Sequence, residues 1–259
     1  MNNIVNESII NKLYCSYEEA LRLCDSTGYS NQELTEVVVK KNIAFRRSIT
    51  NESYLNGEVN RTLLAISFAL NLTSIRVLDF GGGGGYHYTL AKHVLGDKCE
   101  IKWNIVETDS MCESGVAIAD QNLKFFNDVH MASADLGNID LILASSALQY
   151  CPDPLEYLKN LLNVSAKYIY ITRTPFFTGA NKLISIQSSM LSHNGPGKLP
   201  FGFEDREIFY PISFVPLNQV ETAIKEKYKI RFKVIEDAAN LFIEGEAVNA
   251  YYGLFCELK

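Results

Sequence analysis

The sequence predicts a doubly wound α/β fold: a mostly parallel, seven-stranded sheet covered by helices, with a helical cap over residues 1–72 and an insert at 173–211. Three observations predict it. From Ile75 onward, strand-like apolar runs alternate with helical stretches, the pattern of a parallel sheet covered on both faces. The first run, Ile75-Arg76-Val77-Leu78, passes straight into Asp79-Phe80-Gly81-Gly82-Gly83-Gly84-Gly85, a strand that ends in an acid and breaks into a glycine turn. The chain has 259 residues, 47% of them hydrophobic, enough to bury one full core with an appendage.

Within the cap, Ser16-Tyr17-Glu18-Glu19 and Ser30-Asn31-Gln32-Glu33 both have the Ser-x-x-Glu form of a capping box, whose two side chains satisfy free backbone N–H groups reciprocally. Tyr17, Ala20, Leu21 and Cys24 then share one helical face; Leu34, Val37, Val38 and Phe45 share another less cleanly. Val59 to Leu70 is apolar nearly all round, which predicts a buried helix.

In the α/β part, the helix after the glycine turn runs from Tyr86 to Leu95. Ile101 to Val106 alternates with period two and ends on Glu107, and Asp109 takes the N-cap position of a helix reaching Ala119. Leu123 to Phe126 is a short third strand ending at Asn127-Asp128. Asp140 to Ala144 is a fourth, apolar without interruption after its first residue and therefore covered on both faces. Asp153 at N-cap and Pro154 at N1, where a missing N–H costs nothing, open a helix with Leu155, Leu158, Leu161 and Leu162 as its inner stripe. Tyr168 to Thr172 is the fifth strand. Between Arg173 and Pro211 the regularity lapses in a stretch rich in Gly, Pro, Ser and aromatic residues, long for a plain connection, which predicts a lid or binding loop. A helix from Pro216 to Lys227 and two strands, Lys229 to Ile235 and Tyr251 to Leu258, close the sheet.

Composition excludes several functions. A net charge of −6 argues against nucleic acid as the main partner. Six cysteines, at 15, 24, 99, 112, 151 and 256, form no C-x-x-C pair, so neither a metal site nor a disulfide framework is expected. Met1 to Lys12 lacks the basic start and apolar core of a signal peptide, and no apolar stretch is long enough to span a bilayer. A soluble, cytoplasmic protein acting on small molecules is the expectation.

Glycine turns let a ligand sit on bare backbone, and the helix behind them presents free N–H groups as a small positive pole. A dinucleotide fold asks for G-x-G-x-x-G. Here Tyr86, His87 or Tyr88 falls at the third glycine when the first is 81, 82 or 83, so an NAD-type oxidoreductase is the weaker alternative. The pattern that fits is D-x-G-x-G-x-G, Asp79 through Gly85, although a flexible turn in another α/β protein would also contain such a run. The motif resembles the first motif of class I S-adenosylmethionine (SAM) methyltransferases, and residues 75–259 resemble that family's Rossmann-like domain. Tyr17-Glu18-Glu19-Ala20-Leu21 and Gly28-Tyr29 are similar to a methyltransferase branch with an N-terminal helical extension linked to bacterial surface-polysaccharide biosynthesis.

The resemblance implies SAM as cofactor and assigns residues to it. Gly81, Gly83 and Gly85 would wrap the methionine part, with Asp79 anchoring the loop or reaching the ammonium through water. Glu107 would accept both ribose hydroxyls, or be a solvated strand-end acid. Asp128 would accept from the adenine amine beside the Val129 N–H, or simply cap a helix. Ser145-Ser146-Ala147-Leu148-Gln149-Tyr150-Cys151-Pro152-Asp153-Pro154 is similar to the S-x-x-L-[HQ]-[HWY]-x-x-D-P passage of small-molecule methyltransferases. Ser145 joins the cofactor set, and Gln149 would face the transferring methyl, with Tyr150 at the acceptor; ordinary packing is the alternative.

A hydroxyl acceptor must lose a proton, and His193 or His87 is then the candidate base; a carboxylate or phosphate needs none. Residues 173–233 hold nine Lys and Arg against five Asp and Glu, 9 − 5 = +4. Of these Arg173 follows the fifth strand and, with Lys182, Lys198 or Arg206, would clamp an anion, or form a salt bridge to a neighbouring helix. The expected activity is O-methylation of a small anionic or sugar-derived acceptor. A non-catalytic SAM-binding scaffold is the other alternative.

Overall fold

The computed structural model describes residues 12–24, 30–53, 55, 57, 59–243 and 246–259, with the side chains of 236–251 excepted. Gly28 and Tyr29 of the cap motif, and most of the segment read for a signal peptide, lie outside the described residues. In chain order the elements are α1 (Tyr17–Leu23), α2 (Gln32–Ser48), α3 (Val59–Ala69), β1 (Ser74–Phe80), α4 (Tyr86–Leu95), β2 (Glu100–Val106), α5 (Asp109–Gly115), β3 (Leu123–Phe126), α6 (Val129–Leu136), β4 (Leu141–Ser145), α7 (Pro154–Asn163), β5 (Tyr168–Phe177), β6 (Leu183–Met190), β7 (Glu207–Pro216), α8 (Leu217–Lys227), β8 (Tyr228–Ile243) and β9 (Glu246–Leu258).

β3, β2, β1, β4 and β5 lie side by side in that order, all parallel. β9 pairs antiparallel to β5, and β8 antiparallel to β9, closing the expected seven strands. The strands among the described residues nevertheless number nine. The insert at 173–211 is not an irregular loop: β5 continues to Phe177, and β6 and β7 form an antiparallel hairpin whose end joins β5 at Phe176–Val215 and Phe177–Pro216. Its Gly, Pro and Ser content masked two mainly apolar runs, Leu183 to Ile186 and Ile208 to Val215, that are buried along nearly their whole length. Pro211 is tolerated because, among the described residues, β7 pairs along its length only with β6, meeting β5 at its last two residues.

β4 explains the two-layer core. Ile142 and Ala144 face a cluster with Leu158 and Leu161 of α7 and Ile224 of α8, whereas Leu141 and Leu143 face one with Ile66 of α3, Tyr88 of α4 and Trp103 of β2. Period-two alternation thus sends an all-apolar strand into two separate cores. A third cluster, Leu34, Val37 and Val38 of α2 with Met111, Leu191 and Tyr210, fastens the N-terminal helices to the hairpin.

Several boundaries differ from expectation. Ser16 caps α1 as predicted, accepting from Glu19 N at 3.1 Å, but Glu19 reaches back to Cys15 N rather than to Ser16. Asn31, not Ser30, caps α2, its Oδ1 accepting from Leu34 N at 3.0 Å. Thr108, not Asp109, caps α5, and that helix ends at Gly115 instead of Ala119. Packed against Phe125, Gly115 has no room for a side chain, and the helix yields to turns there. The α3 helix is buried on one side only: Leu64 is 38% and Phe68 47% exposed. Asp153 and Pro154 start α7 as expected, with Asp153 accepting from Leu155 N and Glu156 N.

Candidate cofactor and active site

The carboxyl ends of β1, β2 and β4 converge on a cleft of about 490 Å³. In open parallel sheets the crevice beyond these strand ends is where ligands bind. Its floor is Phe80, Gly81, Glu107 and Ala147; Tyr17 and Leu21 of α1 roof it, and Tyr157 closes one side. The volume is in the ordinary range for small-molecule sites, about 300–1,000 Å³.

The glycine turn makes this floor possible. Gly81, Gly83 and Gly85 have φ of +68°, +54° and +82°, so every second residue is left-handed. A Cβ on Gly81 would lie 2.3 Å from that of Ala147, so the strand ends close together only over bare backbone. Beneath the turn Asp79 is fully buried, and its Oδ2 accepts from Trp103 Nε1 at 3.1 Å and faces His87 Nδ1 at 3.2 Å. His87 is thereby joined to the buried acid that underlies the turn.

Glu107 links the turn to the end of β2. Its Oε1 accepts from Gly83 N at 3.0 Å and its Oε2 from Thr108 N at 3.0 Å. Each oxygen keeps a further acceptor position, and the residue lines the cleft. Burial pushes its carboxyl above the usual range, the Thr108 and Gly83 N–H bonds pull it back, and Asp79 adds to the rise.

The remaining predicted residues are scattered relative to this cleft. Asp128 is the N-cap of α6, its Oδ1 accepting from Met131 N at 2.8 Å, with Val129 as that helix's first residue; neither lines the cleft, whereas Asn127 does. Ser145 is buried at the end of β4. Gln149 is fully buried and donates through Nε2 to Ser146 Oγ at 3.0 Å and to the Arg173 carbonyl at 3.1 Å. Those two bonds tie the ends of β4 and β5 together at two left-handed residues, Ser146 at φ +55° and Arg173 at φ +54°. Tyr150 lines the cleft, its carbonyl accepting from Tyr17 OH at 2.7 Å and its ring meeting Tyr210 edge-on.

Arg173 is exposed at the break in β5. His193 is exposed on a 3-10 turn at the hairpin tip and does not line the cleft. Of the other cations considered, Arg206 pairs with Glu33 at 2.5 Å and Lys182 donates to the Pro152 carbonyl. Among the described residues no group of three His, Cys, Asp or Glu is placed to hold a metal, and no helix is long and apolar enough to cross a membrane.

Sequence reasoning missed Tyr17, Asn127 and two residues of α2. Lys41, 2% exposed, donates from Nζ to the Ser192 carbonyl at 2.7 Å, and burial lowers its ammonium pKa while Asp205 opposes that shift. Asn42 sits against the glycine turn. Asn127 adjoins the acid singled out in its place, so the same strand-end signal marked it. Nothing in the sequence pairs α2 with a turn some forty residues on.

No protein-family model matches the chain, and no curated protein sequence does. Among solved structures it is similar to the [4+2]-cyclase SpnF, at 11% identity with a TM-score of 0.51, over 89% of this chain and 96% of that one. Two others are the N-terminal domain of EvdMO1 with SAH bound (13% identity, TM-score 0.49, 85% and 96% covered) and a SAM-dependent methyltransferase from Clostridium acetobutylicum (12%, 0.46, 85% and 98%). The likeness is one of fold: a central, mainly parallel sheet covered by helices.

Proposed function

We propose that this chain binds SAM in the cleft at the glycine turn and transfers its methyl group to an oxygen of a small anionic or sugar-derived acceptor. One observation carries the reading: Glu107, fixed by Gly83 N–H and Thr108 N–H, keeps acceptor positions on both oxygens and lines the cleft beside Gly81. A carboxylate so held suits the paired hydroxyls of a ribose. Phe80, Tyr157 and Tyr17 give the same cleft an aromatic wall for a base.

When bound, SAM supplies an activated methyl on a sulfonium. The protein's part is positioning and exclusion of water, because an anionic oxygen cancels the sulfonium charge as it takes the methyl, whereas a hydroxyl must in addition give up its proton to a base. Gln149 holds the β4 and β5 ends in register, and Tyr150 and Arg173 flank the acceptor side. Arg173 offers a guanidinium at the strand break, suited to a carboxylate or phosphate. The helices α1 and α2 and the β6–β7 hairpin form the roof. Of the two histidines expected as bases, His87, joined to Asp79 beneath the glycine turn, is the one kept for a hydroxyl acceptor, because His193 lies outside the cleft.

Calorimetric titration with SAM, SAH and NAD tests the reading: SAM and SAH bind and NAD does not. Binding without acceptor-dependent SAH release across a panel of small alcohols, carboxylates and phosphate esters would favour a non-catalytic binder. Glu107→Ala is expected to weaken SAM by about 1–3 kcal/mol, the loss of a charged acceptor. Ribose hydroxyls donate best to the ionised acid, and Glu107 holds its proton more tightly than an ordinary carboxyl. Wild-type affinity should therefore fall as pH drops through that raised value, and the alanine variant should lack this dependence. Unchanged affinity in the variant removes the ribose assignment.

A further inference from the structure

Asn42 lies on the side of α2 that rests on the glycine turn, and it is 2% exposed. A Cβ on Gly84 would lie 2.6 Å from its Nδ2 and 2.9 Å from its Cγ, so the amide packs directly on bare backbone. Its Nδ2 donates to the Val38 carbonyl, one turn back, at 2.8 Å. That bond fixes the orientation of the amide, because a carbonyl only accepts and the reversed amide would set oxygen against oxygen. Oδ1 is therefore turned away from Val38; it is buried and has no hydrogen-bond partner among the described residues.

Asp79 repeats the arrangement from the other side. Its Oδ2 takes the contacts with Trp103 and His87, while Oδ1 is buried without a partner among the described residues. A Cβ on Gly82 would lie 2.6 Å from Asp79 Cγ. The side chains of Asn42, from α2, and Asp79, from β1, each with one unpartnered acceptor oxygen, thus pack against alternate glycines of one turn. Buried acceptors without donors are unfavourable, and where they persist a ligand that brings the donor is a sufficient reason.

We infer that Asn42 Oδ1 accepts a hydrogen bond from the α-ammonium of the ligand's amino-acid tail, so that Asn42 separates SAM and SAH from nucleosides that lack the tail. The inference rests on the SAM reading above. An ammonium carries three donors and no acceptor, the complement of two bare oxygens of which one belongs to a carboxylate. The α2 helix is then part of the binding site as well as of its roof, and Gly195 of the hairpin, whose Cβ would lie 3.7 Å from Asn42 Nδ2, completes the enclosure.

The test compares SAH with 5′-methylthioadenosine, which keeps the nucleoside and thioether but has no amino acid, on wild type and Asn42→Ala by calorimetry. In Asn42→Ala the affinity for SAH falls about tenfold or more, the loss of a hydrogen bond to a charged donor, while that for methylthioadenosine changes less than about twofold. Equal losses for both ligands, or none for either, overturn the inference and leave the SAM reading standing. Failure of wild type to bind either ligand overturns the SAM reading itself. Should Asn42→Ala not fold, wild type is titrated with SAH lacking its amino group and with SAH lacking its carboxylate. The first is expected to bind about tenfold weaker than the second; the reverse order, or equality, overturns the assignment.

Discussion

Gly81→Ala is expected to destabilise the protein by about 2–5 kcal/mol and to abolish SAH binding. Two terms add. At φ +68° an L-residue is strained by about 1–2 kcal/mol. Its Cβ would also sit 2.3 Å from Ala147 Cβ, an atom attached to backbone that cannot rotate away, and overpacking of this kind costs about 1–3 kcal/mol. Gly83→Ala is the matched control: its φ is +54°, but its Cβ would meet Val38 Cγ1 at an ordinary 3.6 Å. Only the backbone term remains, about 1–2 kcal/mol. Denaturant midpoints measure both. Equal losses at the two positions would mean that β1 and β4 are not held together over bare backbone.

Asp79→Ala is expected to destabilise by about 2–4 kcal/mol, because it strands the Trp103 and His87 donors in the interior. Both point at Oδ2, and Trp103 is fully buried. Trp103 is the chain's single tryptophan, so its emission reports on this site alone. Its spectrum should shift in Asp79→Ala under conditions where the protein is still folded. Asp79→Asn, with an acceptor oxygen of similar shape, should recover part of the loss. A spectrum unchanged in the alanine variant would show that the indole N–H finds another partner at no cost.

The central sheet was legible because its signals are local. An apolar run ending in Asp79 and five glycines, or Asp153-Pro154 before a leucine stripe, carries its geometry within a few residues. The hairpin was not, since Leu183 to Met190 and Glu207 to Pro216 are separated by a turn-rich stretch whose composition speaks louder than their apolar character. At the cleft, Glu107 and Gly81, which line it, were singled out from order and spacing. Asn42 and Tyr17 were not, because their roles depend on where α1 and α2 dock, and docking is decided by apolar contacts such as Val38 with Leu191 and Tyr210 that no motif records. Asp128 shows the converse: a strand-end acid and a helix cap look alike in sequence, and its carboxylate caps α6.

The roof is stitched together from distant parts of the polypeptide. Lys41 meets Ser192 across 151 positions, and Glu33 meets Arg206 across 173. A nascent chain on the ribosome therefore holds every residue that lines the cleft, complete by Tyr157, before it holds the hairpin residues that fasten α2 over it. If the cleft takes a ligand as proposed, occupancy during synthesis is expected to be loose and reversible, and tight retention to arise only in the finished molecule.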